Sequence, residues 1–383
     1  MRVVVVGATG NVGSSVVEAL ARDESVTEIV GLARRLPGWA VPKTRFAAAD
    51  IAADDLVPHF RGATVVVHLA WLFQPTHRPL VTWRTNVEGS GRLLHAARAA
   101  GVTSVVYASS VGAYSPGSGP VNETWPTHSI PTAAYGREKA YVERMLDAFD
   151  ACHPDVRVVR LRPGFIFKRS SASEQRRLFA GPLFPGWLTR PGRLPLLPFP
   201  SGLRFQALHS DDAAEAYRLA VVGDVRGAFN IAADPVIDRD VIADLLGTRP
   251  LAVPPRLVRG ALAAAWHSHL VPAEPELFDL VLQLPLLDTS RARSELGWSP
   301  LRSGVDALRE MLDGMADGAG ADTPPLVADT LRHRAGEAQP ASAREPDESE
   351  RPGWPVTGVR EHNRPAVWNA RRATHFKARH SST

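Results

Sequence analysis

Val3-Val4-Val5-Val6-Gly7-Ala8-Thr9-Gly10-Asn11-Val12-Gly13 is the stretch on which the reading of this chain turns. Four successive valines suit a strand covered on both faces, where β-branched side chains fill space above and below the sheet. They run directly into glycines at three-residue spacing, and then into a segment of helical periodicity at residues 14–22. A strand, a glycine turn and a helix in this order hold a dinucleotide pyrophosphate. One glycine permits the reversal, one lets the backbone approach the phosphates, and one lets the helix pack close to the strand. The helix aims its free N-terminal amides at the anion. The spacing is G-x-x-G-x-x-G rather than the commoner G-x-G-x-x-G, so the flanking strand and helix carry the inference. Gly7, Thr9, Gly10, Asn11, Val12 and Gly13 are expected at a bound cofactor.

Outward from this turn, β-branched stretches at 28–32, 64–69, 104–109 and 156–161 alternate with helical stretches at 83–100 and 134–149. The alternation predicts an α/β fold, a Rossmann-type doubly wound parallel sheet with helices on both faces. Residues 1–163 are expected to form the dinucleotide-binding domain, with later returns to its sheet, and 164–314 a smaller C-terminal substrate-binding lobe. Within that lobe, 211–222 reads as a helix capped by Ser210 or Asp211, and 228–231 as a strand. Residues 315–383 are rich in Ala, Gly, Pro and charge, a composition that predicts a low-complexity, disordered tail.

With 383 residues, 44% of them hydrophobic, the chain has material for a large core and more than one lobe. Its net charge is +4, but the stretch from Arg360 holds six basic residues against Glu361, so +5 sits there and about −1 on the rest. A basic body that binds nucleic acid is therefore disfavoured. The single cysteine, Cys152, cannot form an internal disulfide. No run approaches the ~20 apolar residues of a membrane span, and no leader pattern precedes the first strand. The expectation is a soluble, cytoplasmic protein that binds a small molecule, not a membrane or nucleic acid, with no metal site assigned.

The second strand ends in Leu32-Ala33-Arg34-Arg35, without the acid that would bind the ribose hydroxyls of NAD. Two guanidiniums stand where a 2′-phosphate would sit, so NADP is the expected cofactor and NAD stays open. Asp50, followed by Ile51, is read either as a partner of the adenine amino group or as a turn aspartate. Tyr135-Gly136-Arg137-Glu138-Lys139 puts a phenol and an ammonium at i, i+4 on one helix face. The cation is expected to lower the phenol pKa from its usual ~10. Tyr135 would then take a proton from a hydroxyl or return one to a carbonyl oxygen, and Lys139 would reach the nicotinamide ribose. Ser110, with Ser109 as second choice, ends a strand and would hold the reacting oxygen; a turn former before Gly112 is the alternative.

Together these motifs resemble the extended short-chain dehydrogenase/reductase family, the NAD-dependent epimerase/dehydratase group. The likeness extends to His68-Leu69-Ala70, Asn86-Val87-Glu88-Gly89, Tyr107-Ala108-Ser109-Ser110-Val111-Gly112-Ala113-Tyr114 and Leu161-Arg162-Pro163-Gly164. Leu208-His209-Ser210-Asp211-Asp212 and Leu296-Gly297-Trp298-Ser299-Pro300 resemble later motifs of the group. The resemblance implies Ser110, Tyr135 and Lys139 as a catalytic triad. It implies Leu69, Ala70, Asn86 and Pro163 along the cofactor, a homodimer, and hydride transfer at a secondary alcohol or ketone carbon. His209 and Asp211 are read as strand-end and helix-cap groups. Gly164-Phe165-Ile166-Phe167-Lys168 departs from the sugar-nucleotide pattern, and Trp71, Phe73, Phe179, Leu183, Phe184, Trp187, Leu188 and Phe199 offer apolar contact area. A ketone reductase acting on an apolar substrate is the alternative, and a non-catalytic NADP-binding sensor a further one. Arg176, Arg177, Arg190 and Arg193 leave a diphosphate substrate open.

Overall fold

Seven stretches form one sheet: β1 (Arg2–Val6), β2 (Glu28–Ala33), β3 (Thr44–Ala48), β4 (Val65–His68), β5 (Ser104–Ala108), β6 (Arg157–Pro163) and β7 (Gly227–Ile231). The computed structural model describes residues 1–328 except Pro75, Pro182 and Leu183. The strands lie in the order β3-β2-β1-β4-β5-β6-β7, every neighbouring pair parallel. The order reverses between β1 and β4, and in open α/β sheets the crevice at such a reversal, beyond the strands' carboxyl ends, is where ligands bind.

The valine run explains the layers. Val3 and Val5 point to one face and pack with Val16, Val17 and Leu20 of α1 (Asn11–Arg22). Val4 and Val6 point to the other and pack with Leu93 and Leu94 of α2 (Gly89–Ala99) and with Val142 and Leu146 of α3 (Ala134–Cys152). A fourth helix, α4 (Ser210–Val222), covers the first face beside α1. Trp298 plugs that layer, and its indole N–H donates to the Asp212 carbonyl at 2.8 Å. The two-sided burial is what lets a strand be apolar throughout. β3 escaped the sequence reading because it is a half-exposed edge strand whose apolar residues are one phenylalanine and alanines, without a β-branched run. Among the described residues there are three further two-stranded pairs, one of them Leu196–Pro200 with Arg249–Val253.

Three expectations change. The cap of α4 is His209, whose Nδ1 accepts the Asp211 N–H at 3.1 Å; the Ser210 hydroxyl instead donates to Asn11 at 2.6 Å. The helical stretch expected at 83–100 starts at Pro79 and passes through a π-helical turn, Arg84–Glu88, before α2. The folded part does not stop at 314: the helix Gly304–Asp317 runs past it, and Leu326 beyond it is fully buried. Asp317 holds this end through Arg169 at 2.6 Å and Arg190 at 3.1 Å. The tail from 329 lies outside the described residues. Among those described, no helix is long and apolar enough to cross a membrane.

One buried ion cluster ties the site-bearing elements together. Glu143 of α3 is completely buried and accepts from the Arg162 guanidinium at 2.9 and 3.0 Å and from Arg160 at 3.2 Å. Burial alone would push its carboxyl up, but Arg162, Arg160 and the Ser109 hydroxyl together bring it to about 2. Arg162 also donates to the Tyr114 hydroxyl, which donates to Asn230 on β7. Removing one partner of such a cluster strands the other charges in a dry interior. Glu143→Ala is expected to destabilise the fold by about 3–5 kcal/mol in chemical denaturation. In the parent protein this carboxyl's contribution is full above its ordinary value of 4.5 and fades as pH falls toward about 2.

Candidate active site

The glycine turn is sterically closed around its own backbone. Gly7 has φ +91°, and a Cβ there would lie 2.7 Å from the Ala70 nitrogen. A Cβ on Gly13 would lie 2.0 Å from the Gly7 carbonyl oxygen, so α1 can approach β1 this closely only without one. Gly10 differs: it is the N-cap of α1, no side chain caps the helix, and a Cβ would meet nothing nearer than 3.7 Å. The first amides of α1 are thus left for another acceptor. These features fit a dinucleotide pyrophosphate.

A cleft of about 340 Å³ opens beside the turn. Of the residues expected at the cofactor, Gly7, Thr9, Gly10, Arg34, Arg35, Asp50, Ile51, Leu69 and Ala70 line it. Arg34 and Arg35 are both exposed. Asp50 makes a turn, its carboxylate accepting the Ala52 N–H at 2.9 Å, and it also faces the cleft.

Six expected cofactor residues lie outside the lining, Lys139 among them. The Asn11 amide faces away, donating to the Ile166 carbonyl at 3.0 Å and accepting from Ser210. Val12 and Gly13 pack into the turn and core. Pro163 is buried at the end of β6. Asn86 is completely buried in the π-helical turn; it clasps Leu72, accepting its N–H at 2.7 Å and donating to its carbonyl at 2.9 Å, and donates to Glu138 at 2.7 Å. Its amide is fully engaged holding the loop after β4, which is why it does not reach the cleft.

That loop carries the site. Trp71, Leu72, Phe73 and Gln74 line the cleft and also a small slot of about 20 Å³ that contains Tyr135. Tyr135 and Lys139 sit one turn apart on α3, and Ser110 follows β5. The Ser110 hydroxyl accepts the Gly112 N–H at 2.9 Å, so it forms the turn. Gly112 gives the phenol room: a Cβ there would lie 2.8 Å from its ring. Ser109 is committed to Glu143. Phe73 stacks on Tyr135, centroids 5.0 Å apart and 11° from parallel.

The expected drop in the phenol pKa is absent. Burial pushes Tyr135 up to about 12, with Ser110 opposing. Lys139 is turned elsewhere: its ammonium donates to the Ala108 carbonyl at 2.7 Å and sits 3.5 Å from the centroid of the Trp71 ring, against 6.0 Å for that of Tyr135. Burial also drives Lys139 well below its ordinary value, against the pull of Glu143 and Glu138. The lysine–tyrosine spacing on the helix was legible; the direction of the ammonium was not.

The sequence model of the NAD dependent epimerase/dehydratase family matches residues 3–232. The chain belongs to this family. An uncharacterized protein of Mycobacterium tuberculosis is 26% identical over 326 residues, covering 82% of this chain and 83% of its own. A 3-diazoavenalumate denitrifying reductase of a Streptomyces species is 30% identical over 320 residues, covering 78% and 96%. Among solved structures, the UDP-glucose-4-epimerase of Stenotrophomonas maltophila, with bound NAD and formylated UDP-arabinopyranose, aligns with a TM-score of 0.63 at 22% identity over 83% of this chain and 98% of that one, a likeness of fold.

The epimerase/dehydratase-family match ends at residue 232. Three of the arginines considered for a diphosphate are internally engaged. Arg190 pairs with Asp317, Arg176 is fully buried and donates to the Gly181 carbonyl at 2.7 Å, and Arg177 donates to the Pro325 and Val327 carbonyls. Of the apolar set, Trp71, Phe73 and Phe179 line the slot. Trp187 is exposed, Phe199 is buried outside the lining, and Leu183 lies outside the described residues. Sequence reasoning missed Gln74, Thr85, Glu174, Pro324 and Pro325 as cleft residues; none belongs to a motif. Asn86→Ala leaves the half-buried Leu72 peptide groups and the buried Glu138 carboxylate without this partner, and a loss of about 1–3 kcal/mol is expected in thermal or denaturant melts.

Proposed function

We propose that this family member moves a hydride between a nicotinamide dinucleotide and a secondary alcohol or ketone carbon, with Tyr135 as acid/base. The observation that carries the reading is the shared wall: the loop 71–74 borders both the glycine-turn cleft and the slot holding the phenol. The residues that would hold a dinucleotide in the first are thereby next to those that line the second. When bound, the nicotinamide supplies or accepts the hydride. Tyr135 donates its proton to the carbonyl oxygen, and Ser110 donates a hydrogen bond to the same atom. A phenol held near 12 is protonated at neutral pH, which suits it to the acid role in carbonyl reduction. Lys139, buried on the same helix face, is the cation available to the nicotinamide ribose once it leaves Trp71.

The lining of the slot also favours an apolar carbonyl substrate over a nucleotide sugar. Its walls are Trp71, Phe73, Phe179 and Leu277, and its ionisable lining groups are Tyr135, Glu138 and Glu274, with no cation among the described lining residues to meet a diphosphate. The UDP-sugar ligand of the Stenotrophomonas enzyme is thus not carried over to this chain. For the cofactor, Arg34 and Arg35 at the cleft favour NADP, although that same enzyme binds NAD.

Nicotinamide absorbance with a panel of aromatic ketones and UDP-glucose tests the reading; turnover of a ketone is expected, and turnover of UDP-glucose alone overturns the substrate class. Tyr135→Phe is expected to lower kcat/KM by ~10²-fold or more with cofactor affinity unchanged. The kcat/KM for reduction should be flat from about pH 6 to 9, because the phenol stays protonated. For alcohol oxidation it should climb about tenfold per unit over the same range, because the required phenolate is scarce until about 12. Replacing Arg34 and Arg35 together by Ala should weaken NADPH binding about tenfold or more in fluorescence titration and leave NADH nearly unaffected.

A further inference from the structure

After the helix Gly304–Asp317 the chain turns back at Gly318, in the left-handed region at φ +66°, and lies down on the body. Three attachments hold it. The Ser173 hydroxyl donates to the Ala319 carbonyl at 2.6 Å, and Leu326 is fully buried. The Arg177 guanidinium donates to the Pro325 carbonyl at 2.6 Å and the Val327 carbonyl at 2.9 Å. Within the segment, the Ala321 N–H reaches the Leu326 carbonyl at 2.6 Å and the Leu326 N–H the Thr323 carbonyl at 2.9 Å, which closes a tight loop. At its apex Pro324 and Pro325 line the same cleft as Gly7, Gly10 and Arg34.

Resting on the cofactor reading above, we propose that residues 318–328 are a strap that completes the dinucleotide site, with Pro324 and Pro325 as its wall and Arg177 as its latch. The ligand is the nicotinamide dinucleotide, and its exchange requires the strap to lift. Two features suit the segment to this work. Consecutive prolines have fixed φ and no N–H to satisfy, so they can face a ligand as a stiff apolar surface. Among the described residues the strap is held by one buried apolar side chain and a few hydrogen bonds, which suits a segment that opens before global unfolding. The latch also brings a permanent cation to the cleft, where the bound ligand carries phosphates. Glu174 lines the cleft beside it, and burial raises this carboxyl to about 7, so near neutral pH it opposes those phosphates with only part of a full charge.

The test uses the full chain and measures release of pre-bound NADPH by stopped-flow fluorescence, with excess NADP as chase. Leu326→Asp, which expels the buried anchor, is expected to speed release at least tenfold, and Pro324→Gly combined with Pro325→Gly severalfold. The second variant keeps the anchor and the latch, so it decides the matter if the first does not fold. Hydrogen exchange at the Ala321 and Leu326 amides should slow when NADPH saturates the parent protein. Release rates within twofold of the parent in the folded variants, with exchange at those amides unaltered, would overturn the strap alone. Failure of the parent chain to bind either NADPH or NADH would overturn the strap together with the cofactor reading beneath it.

Discussion

The approach of α1 to the end of β1 is the constraint on which the rest depends. A helix that begins one residue after Gly10, and whose Gly13 lies against the Gly7 carbonyl, must point its N-terminus into the crevice where the strand order reverses. Given that contact, the loop after β4 has one course, because Ala70 fills the space a Gly7 side chain would have needed. The loop then passes Asn86, which takes both polar groups of Leu72, and so reaches the phenol on α3. Glycine-sized gaps and one amide clasp thus bring a cleft and a buried phenol together from elements more than a hundred residues apart in the chain.

The site's electrostatics are decided by burial more than by pairing. In water an ammonium one helical turn from a phenol would favour the phenolate, but here both groups are dry and the cation is spent on a carbonyl and an indole face. Desolvation penalises whichever form is charged, so the phenol moves up and the ammonium down. Glu143 shows the opposite outcome on the same helix, because two guanidiniums and a hydroxyl converge on it. Neighbours overcome burial only when several act at hydrogen-bond distance.

The parallel sheet, the glycine turn and the helix bearing Tyr135 and Lys139 were legible because each depends on local patterns: β-branched runs, glycine spacing, and i, i+4 geometry. Asp50, Arg34 and Arg35 could be placed at the cleft because strand ends gather there in a doubly wound sheet. What stayed hidden was tertiary. Asn11 and Asn86 read as ligand groups, yet each amide is consumed by backbone and side chains distant in sequence. β3 lacked a pattern because it is an edge, and the packing beyond 314 lacked one because Asp317 and Leu326 find partners that no local period reveals.

The loop 71–74 borders two cavities and is clasped at Leu72 by one buried amide. A molecule that shifts this segment from one side alters the surface offered on the other. Thermodynamic reciprocity then requires that each occupant change its neighbour's affinity by the same factor. The indole of Trp71 borders both spaces and lies against the Lys139 ammonium.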